Sequence, residues 1–147
     1  MSNYKHVLAA VDFSSETEAI LHKAAEISRS NGAGLTLFHA VECSDALYAS
    51  DLVMPVDMEL CEEMEKKAKN HLLELAKTLE LEDVEVQVSI GVAKHEIIRA
   101  AKEAGADIIV MGSHGRHGLQ LLLGSTANGV LHLAPCDVLA VRVNKRI

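Results

Sequence analysis

Short apolar segments with the length of a β-strand recur along the chain. The first, Tyr4–Val11, is apolar on both of its faces, which is typical of a strand buried in a parallel sheet. In the third, valines at positions 84, 86 and 88 alternate with polar residues, which predicts a strand at a sheet edge with one exposed face. The five predicted strands are Tyr4–Val11, Gly34–Val41, Val84–Ser89, Asp107–Met111 and Val138–Val143.

Amphipathic segments separate these strands, with apolar residues at the spacing of an α-helix. The first of them begins with Ser15 and Glu18, which fit a capping box, and ends at Asn31-Gly32. The last is short, and Gly129 in its middle weakens it. Residues 42–56 show neither period and are interpreted as a loop that can include one turn of helix. The predicted helices are Ser15–Asn31, Asp57–Leu79, Ala93–Ala104 and Ser125–Leu133.

The alternation of strands and helices predicts an α/β fold, in which five parallel strands form one sheet with helices on both faces. In such sheets ligands bind beyond the carboxyl ends of the strands, where the strand order reverses. Asp12 follows the first predicted strand, and Gly112 follows the fourth. If these two strands are neighbours, the carboxylate and the glycine share one crevice.

The composition narrows the class of protein. With 147 residues, of which 49% are hydrophobic and 24% charged, residues 1–147 are expected to form one globular domain with an aliphatic core. A net charge of -7 argues against a general nucleic-acid or membrane-surface binder. No segment has the length of a signal peptide or a membrane span, and three widely spaced cysteines fit reduced thiols better than disulfides. A cytoplasmic protein is the simplest interpretation.

The segment Gly112–Asn128, with the sequence GSHGRHGLQLLLGSTAN, is the main candidate site. It joins a strand to a helix start, and its glycines let backbone amides approach an anion closely. Phosphate binding is therefore one interpretation, and a flexible connection whose glycines serve turn geometry is the other. The segment is not a P-loop, because no lysine precedes Ser125, and the dinucleotide fingerprint is missing after the first strand.

Other chemistry finds less support in the sequence. His114 and His117 are too few for zinc, which needs three or four protein ligands, so no metal site is predicted. A phosphate-ester hydrolase would need an acidic pair or a metal cluster, and Asp12 is the only obvious acid near the loop. His39 is expected to be packed and hydrogen-bonded, and Cys136 to be a core thiol without an activating base. No catalytic residue is predicted.

Several blocks of the sequence resemble the universal stress protein family, in the correct order and over nearly the whole chain. The blocks are Tyr4–Ser14, His39–Val41, Ile109–Gly115, Leu122–Ser125 and Ala134–Val141. The resemblance implies a Rossmann-like sheet with the strand order 3-2-1-4-5, in a cytoplasmic, stress-responsive homodimer. It does not imply an enzyme, beyond at most weak ATP hydrolysis.

Many members of this family bind ATP or AMP through the pattern G-x2-G-x9-G-[ST]. By position, the resemblance assigns adenosine to Asp12 and to the backbones of Ala40 and Met111. A carboxylate accepts from hydroxyl groups, and glycine amides donate to phosphate, so the physical roles agree. Magnesium is expected only together with the nucleotide. The residues that would hold ribose and phosphates are Gly112, Gly115, Gly124, Ser125 and Thr126, with Arg116 and His117 as auxiliary anion contacts.

The chain departs from the nucleotide-binding pattern at one point. Eight positions, 116–123, separate Gly115 from Gly124, where nucleotide-binding members have nine. The missing residue would shift the amide of Gly124 by up to ~3.5 Å in an extended loop, which is comparable to the length of a hydrogen bond. In addition, Ser44–Tyr48 resembles a segment of a branch that does not bind ATP. A dimeric interaction protein, with only water or an inorganic anion in the loop, is therefore the alternative.

The last predicted strand is the expected dimer edge. In the order 3-2-1-4-5 it borders the sheet, where unpaired backbone groups invite pairing with another chain. Pairing with a second copy across a two-fold axis would satisfy these groups and bury the apolar side chains. The residues expected at this edge are Val138, Ala140, Val141 and Val143.

Overall fold

The computed structural model describes residues 3–43, 58–81, 83–113 and 124–142. Strands and helices alternate along these residues in the order expected from the hydrophobic pattern. The strands are β1 (His6–Ala10), β2 (Gly34–Val41), β3 (Glu85–Ile90), β4 (Ile108–Gly112) and β5 (Asp137–Val141). The helices are α1 (Thr17–Asn31), α2 (Met58–Thr78), α3 (Ala93–Ala104) and α4 (Ser125–Leu133).

All five strands are parallel and form one sheet in the order β3-β2-β1-β4-β5. This confirms the order 3-2-1-4-5 and the edge position predicted for the alternating valine strand. β1 is central: Leu8 lies opposite Thr36 of β2 on one side and opposite Ile109 of β4 on the other. The strands that precede Asp12 and Ser113 are therefore neighbours, and the strand order reverses between them.

The helices cover the sheet in two layers, and each layer packs on its own apolar cluster. Side chains of a strand alternate between the two faces, so Val7 of β1 joins one cluster and Leu8 joins the other. The cluster under α1 and α2 contains Leu21 and Leu72, and we call this side the α1/α2 face. The cluster under α3 and α4 contains Ile97, Ile98, Ala127 and Val130, and we call this side the α3/α4 face.

The start of α1 differs from the predicted capping box. The helix begins at Thr17, and its N-cap residue is Glu16, which makes no side-chain capping bond. Phe13 has a left-handed φ of 60°, and the serine that bonds to the first residues of the helix is Ser14 rather than Ser15. The Ser14 hydroxyl accepts from the Glu16 amide at 3.3 Å, and the Ser14 carbonyl accepts from the Thr17 amide at 3.1 Å. The capping-box prediction was therefore wrong.

Other predicted boundaries shift by a residue or two. β5 begins at Asp137 and ends at Val141, so it starts one residue earlier than predicted, and Val143 lies outside the described residues. Most of the predicted 42–56 loop also lies outside them. Gly32 and Gly105 end α1 and α3 in the left-handed conformation, with φ of 62° and 67°, as the helix-stop signals predicted.

The amino ends of the strands are tied together by side chains. Asp107, just before β4, accepts hydrogen bonds from the amides of Lys5 at 2.8 Å and His6 at 3.1 Å. Burial alone would raise the pKa of Asp107, but these amide hydrogen bonds outweigh it and hold the pKa below its usual value. The Tyr4 hydroxyl donates to Asp137 at 2.7 Å, which connects the start of β1 to the start of β5.

Candidate functional site

A cleft opens at the carboxyl ends of β1, β2 and β4, between the sheet and the first turns of α3 and α4. It encloses about 90 Å³, which is several times the space that one water molecule needs. Its position is the point where the strand order reverses, which is where parallel α/β sheets bind ligands. The residues that line it are Ala10, Val11, Asp12, Ile20, Phe38, His39, Ala40, Ala93, Ile97, Met111, Gly112, Thr126 and Ala127.

The cleft brings together five of the residues assigned to a nucleotide by the resemblance: Asp12, Ala40, Met111, Gly112 and Thr126. They come from the ends of three strands and from the first turn of α4.

The remaining predicted site residues lie elsewhere. Gly124 and Ser125 immediately precede Thr126 but do not line the cleft. Gly115, Arg116 and His117 lie outside the described residues, so their predicted roles stay predictions.

The sequence reasoning missed the apolar walls of the cleft. Phe38 lies two residues before Ala40 on β2, and the period of a strand places both side chains on the α3/α4 face. Ala93 and Ile97 are separated by one turn of α3 and share one face of that helix. Both periods were visible in the sequence, so the apolar lining follows from the strand and helix patterns once the site is placed.

Asp12 is half-buried and lines the cleft. Its Oδ1 accepts a hydrogen bond from the amide of Ser14 at 3.0 Å, which holds the carboxylate in a local turn. An ionised carboxylate has about four lone-pair sites, so this one bond leaves capacity for further donors. A hydroxyl or amino group of a ligand in the cleft is a suitable donor.

The start of α4 lies against the end of β4. The Gly124 amide donates to the Ser113 carbonyl at 2.8 Å, and the Ser113 amide donates to the Val141 carbonyl at 2.9 Å. Gly124 is the N-cap of α4, and no side chain of the described residues caps the helix. The first turn of α4 therefore offers backbone amides and the positive end of the helix dipole beside the cleft.

Three buried oxygen atoms near this end of the sheet have no hydrogen-bond partner among the described residues. They are the Ser113 hydroxyl, the Thr17 hydroxyl and Oε2 of Glu16. Buried polar groups are normally hydrogen-bonded, and an exception requires a water, an ion or a ligand, or a role in function. Ser113 directly follows β4, and Glu16 and Thr17 lie at the start of α1. Asp12 lies between β1, which is the neighbour of β4, and α1.

An aromatic stack supports the turn that carries Asp12. The Phe13 ring lies between the His39 ring, 4.2 Å away between centroids, and the His71 ring, 4.3 Å away. His39 Nδ1 is 2.7 Å from the Val11 carbonyl, and because a carbonyl only accepts, this nitrogen must carry the proton. This confirms that His39 is packed and hydrogen-bonded, and it fixes the backbone next to Asp12.

The described residues contain no group of three or more His, Cys, Asp or Glu side chains that could hold a metal ion. His114 and His117 lie outside these residues. None of the helices in the described part of the chain is long and apolar enough to cross a membrane.

Comparison with known proteins identifies close relatives along the whole length of the chain. The model of the universal stress protein family matches residues 3–142. Universal stress protein A homolog 1 of Coxiella burnetii is 41% identical over 139 residues, which cover 95% of this chain and 96% of that protein. Homolog 2 of the same organism is 43% identical over 145 residues, which cover 97% and 98%. The solved structure of the universal stress protein UspA from Lactobacillus plantarum superimposes with a TM-score of 0.79 at 28% identity, over 97% of this chain and 100% of that one.

Two solved structures with the same fold contain nucleotides. One is a universal stress protein in complex with cAMP, with a TM-score of 0.68, 23% identity and coverage of 97% of this chain and 100% of that one. The other is the universal stress protein from Archaeoglobus fulgidus in complex with dAMP, with a TM-score of 0.64, 22% identity and coverage of 95% and 98%. On the family match and the relatives above, the chain belongs to the universal stress protein family.

Proposed function

We propose that the cleft binds an adenine nucleotide, ATP or AMP, as the regulatory ligand of a cytoplasmic, homodimeric stress-response protein. The observation that carries the proposal is the composition of the cleft at the reversal of the strand order. Its walls are apolar, a carboxylate lines it, and beside it lies a helix start that no side chain of the described residues caps. This combination suits a ligand with a flat apolar base, hydroxyl groups and a negatively charged end.

The adenosine part fits the strand ends. Phe38, Ile97 and Met111 offer apolar surface to a base, and Asp12 can accept from a ribose hydroxyl or from the amino group of adenine. The backbones of Ala40 and Met111 keep the adenosine-binding role implied by the family.

The phosphates are assigned to the first turn of α4, through Gly124, Ser125 and Thr126, together with Gly112. The residues Gly115, Arg116 and His117 complete this assignment as predictions. The cAMP and dAMP complexes of other proteins with this fold support the binding of an adenine nucleotide, since both ligands contain adenine. Magnesium would accompany only the nucleotide, through its phosphates.

The test is calorimetric titration of the protein with ATP, AMP and adenosine. In Asp12→Asn the side-chain oxygen can still accept from the Ser14 amide, so the turn is kept while the negative charge is lost. Losing one charge-assisted hydrogen bond costs about 1.5–3 kcal/mol, so all three ligands should bind about 10–150-fold more weakly.

The matched control is Asp137→Asn, which removes a carboxylate charge at the amino end of the sheet and should leave all three affinities unchanged. If wild-type protein binds none of the three ligands at millimolar concentration, the nucleotide proposal is wrong. The non-nucleotide interaction protein would then be the better description.

We propose that two copies of the chain form the dimer by pairing their β5 strands. β5 is an outer strand of the sheet, and its residues Val138–Val141 are only partly buried. The Val141 carbonyl accepts from the Ser113 amide, so the backbone groups of Val141 point toward β4. In a strand, backbone groups alternate in direction, so those of Ala140 point away from the sheet. Ala140 therefore carries the amide that a second copy would pair with.

Sedimentation of two proline variants tests the dimer. Ala140→Pro removes an outward-pointing donor and should give a folded monomer. Val141→Pro removes a donor that points toward β4 and should also destabilise the fold. If Ala140→Pro stays dimeric at micromolar concentration, β5 is not the dimer edge.

A phosphate-ester hydrolase finds less support. Asp12 is the one carboxylate among the described residues that line the cleft, whereas hydrolysis of phosphate esters usually employs a metal pair or several acid-base groups. We therefore propose a binding protein, with at most weak ATP hydrolysis.

A further inference from the structure

Three sulfur atoms meet between the end of β2 and the start of α2. Cys43 follows β2 by two residues, and its thiol lies 3.9 Å from the thioether sulfur of Met64. Cys61 is a side-chain neighbour of Cys43: burial raises the pKa of the Cys43 thiol most, and the Cys61 thiol raises it further. Cys61 and Met64 are three residues apart on α2, so they project from the same face of the helix. We call these three residues the sulfur cluster.

The donor atoms of the cluster suit a soft metal ion. The Cys43 thiol and the Met64 thioether are already within 3.9 Å of each other, and Cys61 lies on the same face of α2 as Met64. Two thiolates and a thioether form a soft donor set, and soft thiolate and thioether ligands select Cu(I). We propose that Cys43, Cys61 and Met64 form a binding site for a soft monovalent cation of the Cu(I) class.

The donor set favours this cation over zinc. Structural zinc sites take four ligands from Cys, His and carboxylates, and a thioether is not among them. When Cu(I) binds, the two thiols lose their protons to solvent and coordinate as thiolates. The thioether has no proton to lose and coordinates directly. Copper enters already reduced, so the step needs no oxidant or reductant.

The cluster is accessible from solvent on one side. The Met64 side chain is 41% exposed and Cys43 is half-buried, whereas Cys61 is only 3% exposed and lies at the base. An ion can therefore enter past Met64 and be covered on its inner side by the helix. All three cysteines are free thiols, so the two thiol ligands are present in the reduced protein.

The test is an anaerobic titration of the reduced protein with Cu(I), supplied as its acetonitrile complex, in competition with a chromogenic Cu(I) chelator. We expect one equivalent to bind. Replacement of even the outer partners of metal sites costs 10–100-fold in affinity, so we expect Cys43→Ser and Cys61→Ser each to lose about 100-fold or more, and Met64→Leu about tenfold.

Two matched controls keep the result specific. Met58→Leu changes an exposed methionine on the same helix, and Cys136→Ser removes a thiol from the α3/α4 face. Both should bind Cu(I) as the wild type does. Met64→Leu changes an exposed side chain and should fold normally, so it stays informative if Cys61→Ser does not fold.

Two results would overturn the proposal. One is an affinity that is unchanged in both Met64→Leu and Cys43→Ser. The other is failure of the wild-type protein to compete with the chelator. If peroxide then converts Cys43 and Cys61 into a disulfide, lowering the count of free thiols from three to one, the pair is a redox pair and not a metal site.

Discussion

The amino end and the carboxyl end of the sheet contain similar polar residues but use them differently. At the amino end, Asp107 and Asp137 bond to groups that are distant in sequence and thereby hold the strands together. At the carboxyl end, the hydrogen-bond partner of Asp12 among the described residues is Ser14, two residues away. The same side chain thus serves stability at one end and is left with spare capacity at the other.

The buried hydroxyl groups show the same difference. The Thr36 hydroxyl is buried near the amino end and lies 2.7 Å from the His6 ring nitrogen. The Ser113 hydroxyl is equally buried at the carboxyl end and has no partner among the described residues. At the amino end the polar groups are satisfied within the fold, whereas the described residues leave buried oxygen atoms without a partner at the carboxyl end, where we propose that a ligand binds.

The largest expected effect comes from filling the cleft with Ala40→Leu. The added side chain would occupy the space that we propose for the base. Overpacking there costs about 1–3 kcal/mol, so adenosine and ATP should bind about 5–150-fold more weakly. The free protein should keep its unfolding temperature, because the cleft has room for the side chain. Calorimetry and thermal unfolding measure the two quantities. Ala33→Leu adds the same atoms near the amino end, and a similar loss of affinity there would contradict the assignment of the site.

The next effect in size is the loss of stability in Asp107→Ala. This change leaves the amides of Lys5 and His6 without their acceptor, and we expect the free energy of unfolding to fall by about 2–3 kcal/mol. Urea unfolding measures it. Nucleotide affinity, measured on the folded variant, should not change. A stable variant with weakened nucleotide binding would reverse the roles given to the two ends of the sheet.

The smallest expected effect is a dependence on pH. The fold lowers the pKa of Asp107, so its contribution to stability is fully present above the unfolded-state pKa of about 3.9 and is lost as the pH falls through the folded-state pKa. Asp107→Asn keeps one acceptor but cannot titrate. The free energy of unfolding of the wild-type protein should therefore exceed that of this variant by about 1 kcal/mol at pH 7, and this difference should shrink below about pH 4. A difference that is constant with pH would contradict this role of the carboxylate.

Much of the fold follows from the sequence because local patterns determine it. Strand and helix periods predicted the elements and the edge position of β3, and glycines predicted the ends of α1 and α3. The position of Asp12 at the cleft was predicted by the rule that parallel α/β sheets bind ligands beyond the carboxyl ends of their strands. The cap of α1 was missed, because it depends on the left-handed turn at Phe13 and not on the residues of the helix itself.

Contacts between distant segments could not be predicted. The amides that bond to Asp107 come from residues about a hundred positions earlier, and no local period connects them. The same holds for the sulfur cluster, since the sequence shows Cys43 and Cys61 only as widely spaced cysteines. Their meeting depends on how α2 packs beside the end of β2.

The central place of β1 also affects how the chain folds during synthesis. β1 pairs on one side with β2, which follows within a few tens of residues. The partner of β1 on its other side is β4, which is synthesised much later. At 5–20 residues per second, the ribosome makes the partner beginning at Ile108 roughly 5–20 s after β1. Until then β1 carries an unpaired edge, which is a template for aggregation. Chains that end before Ile108 should therefore aggregate, even though they contain three of the five strands.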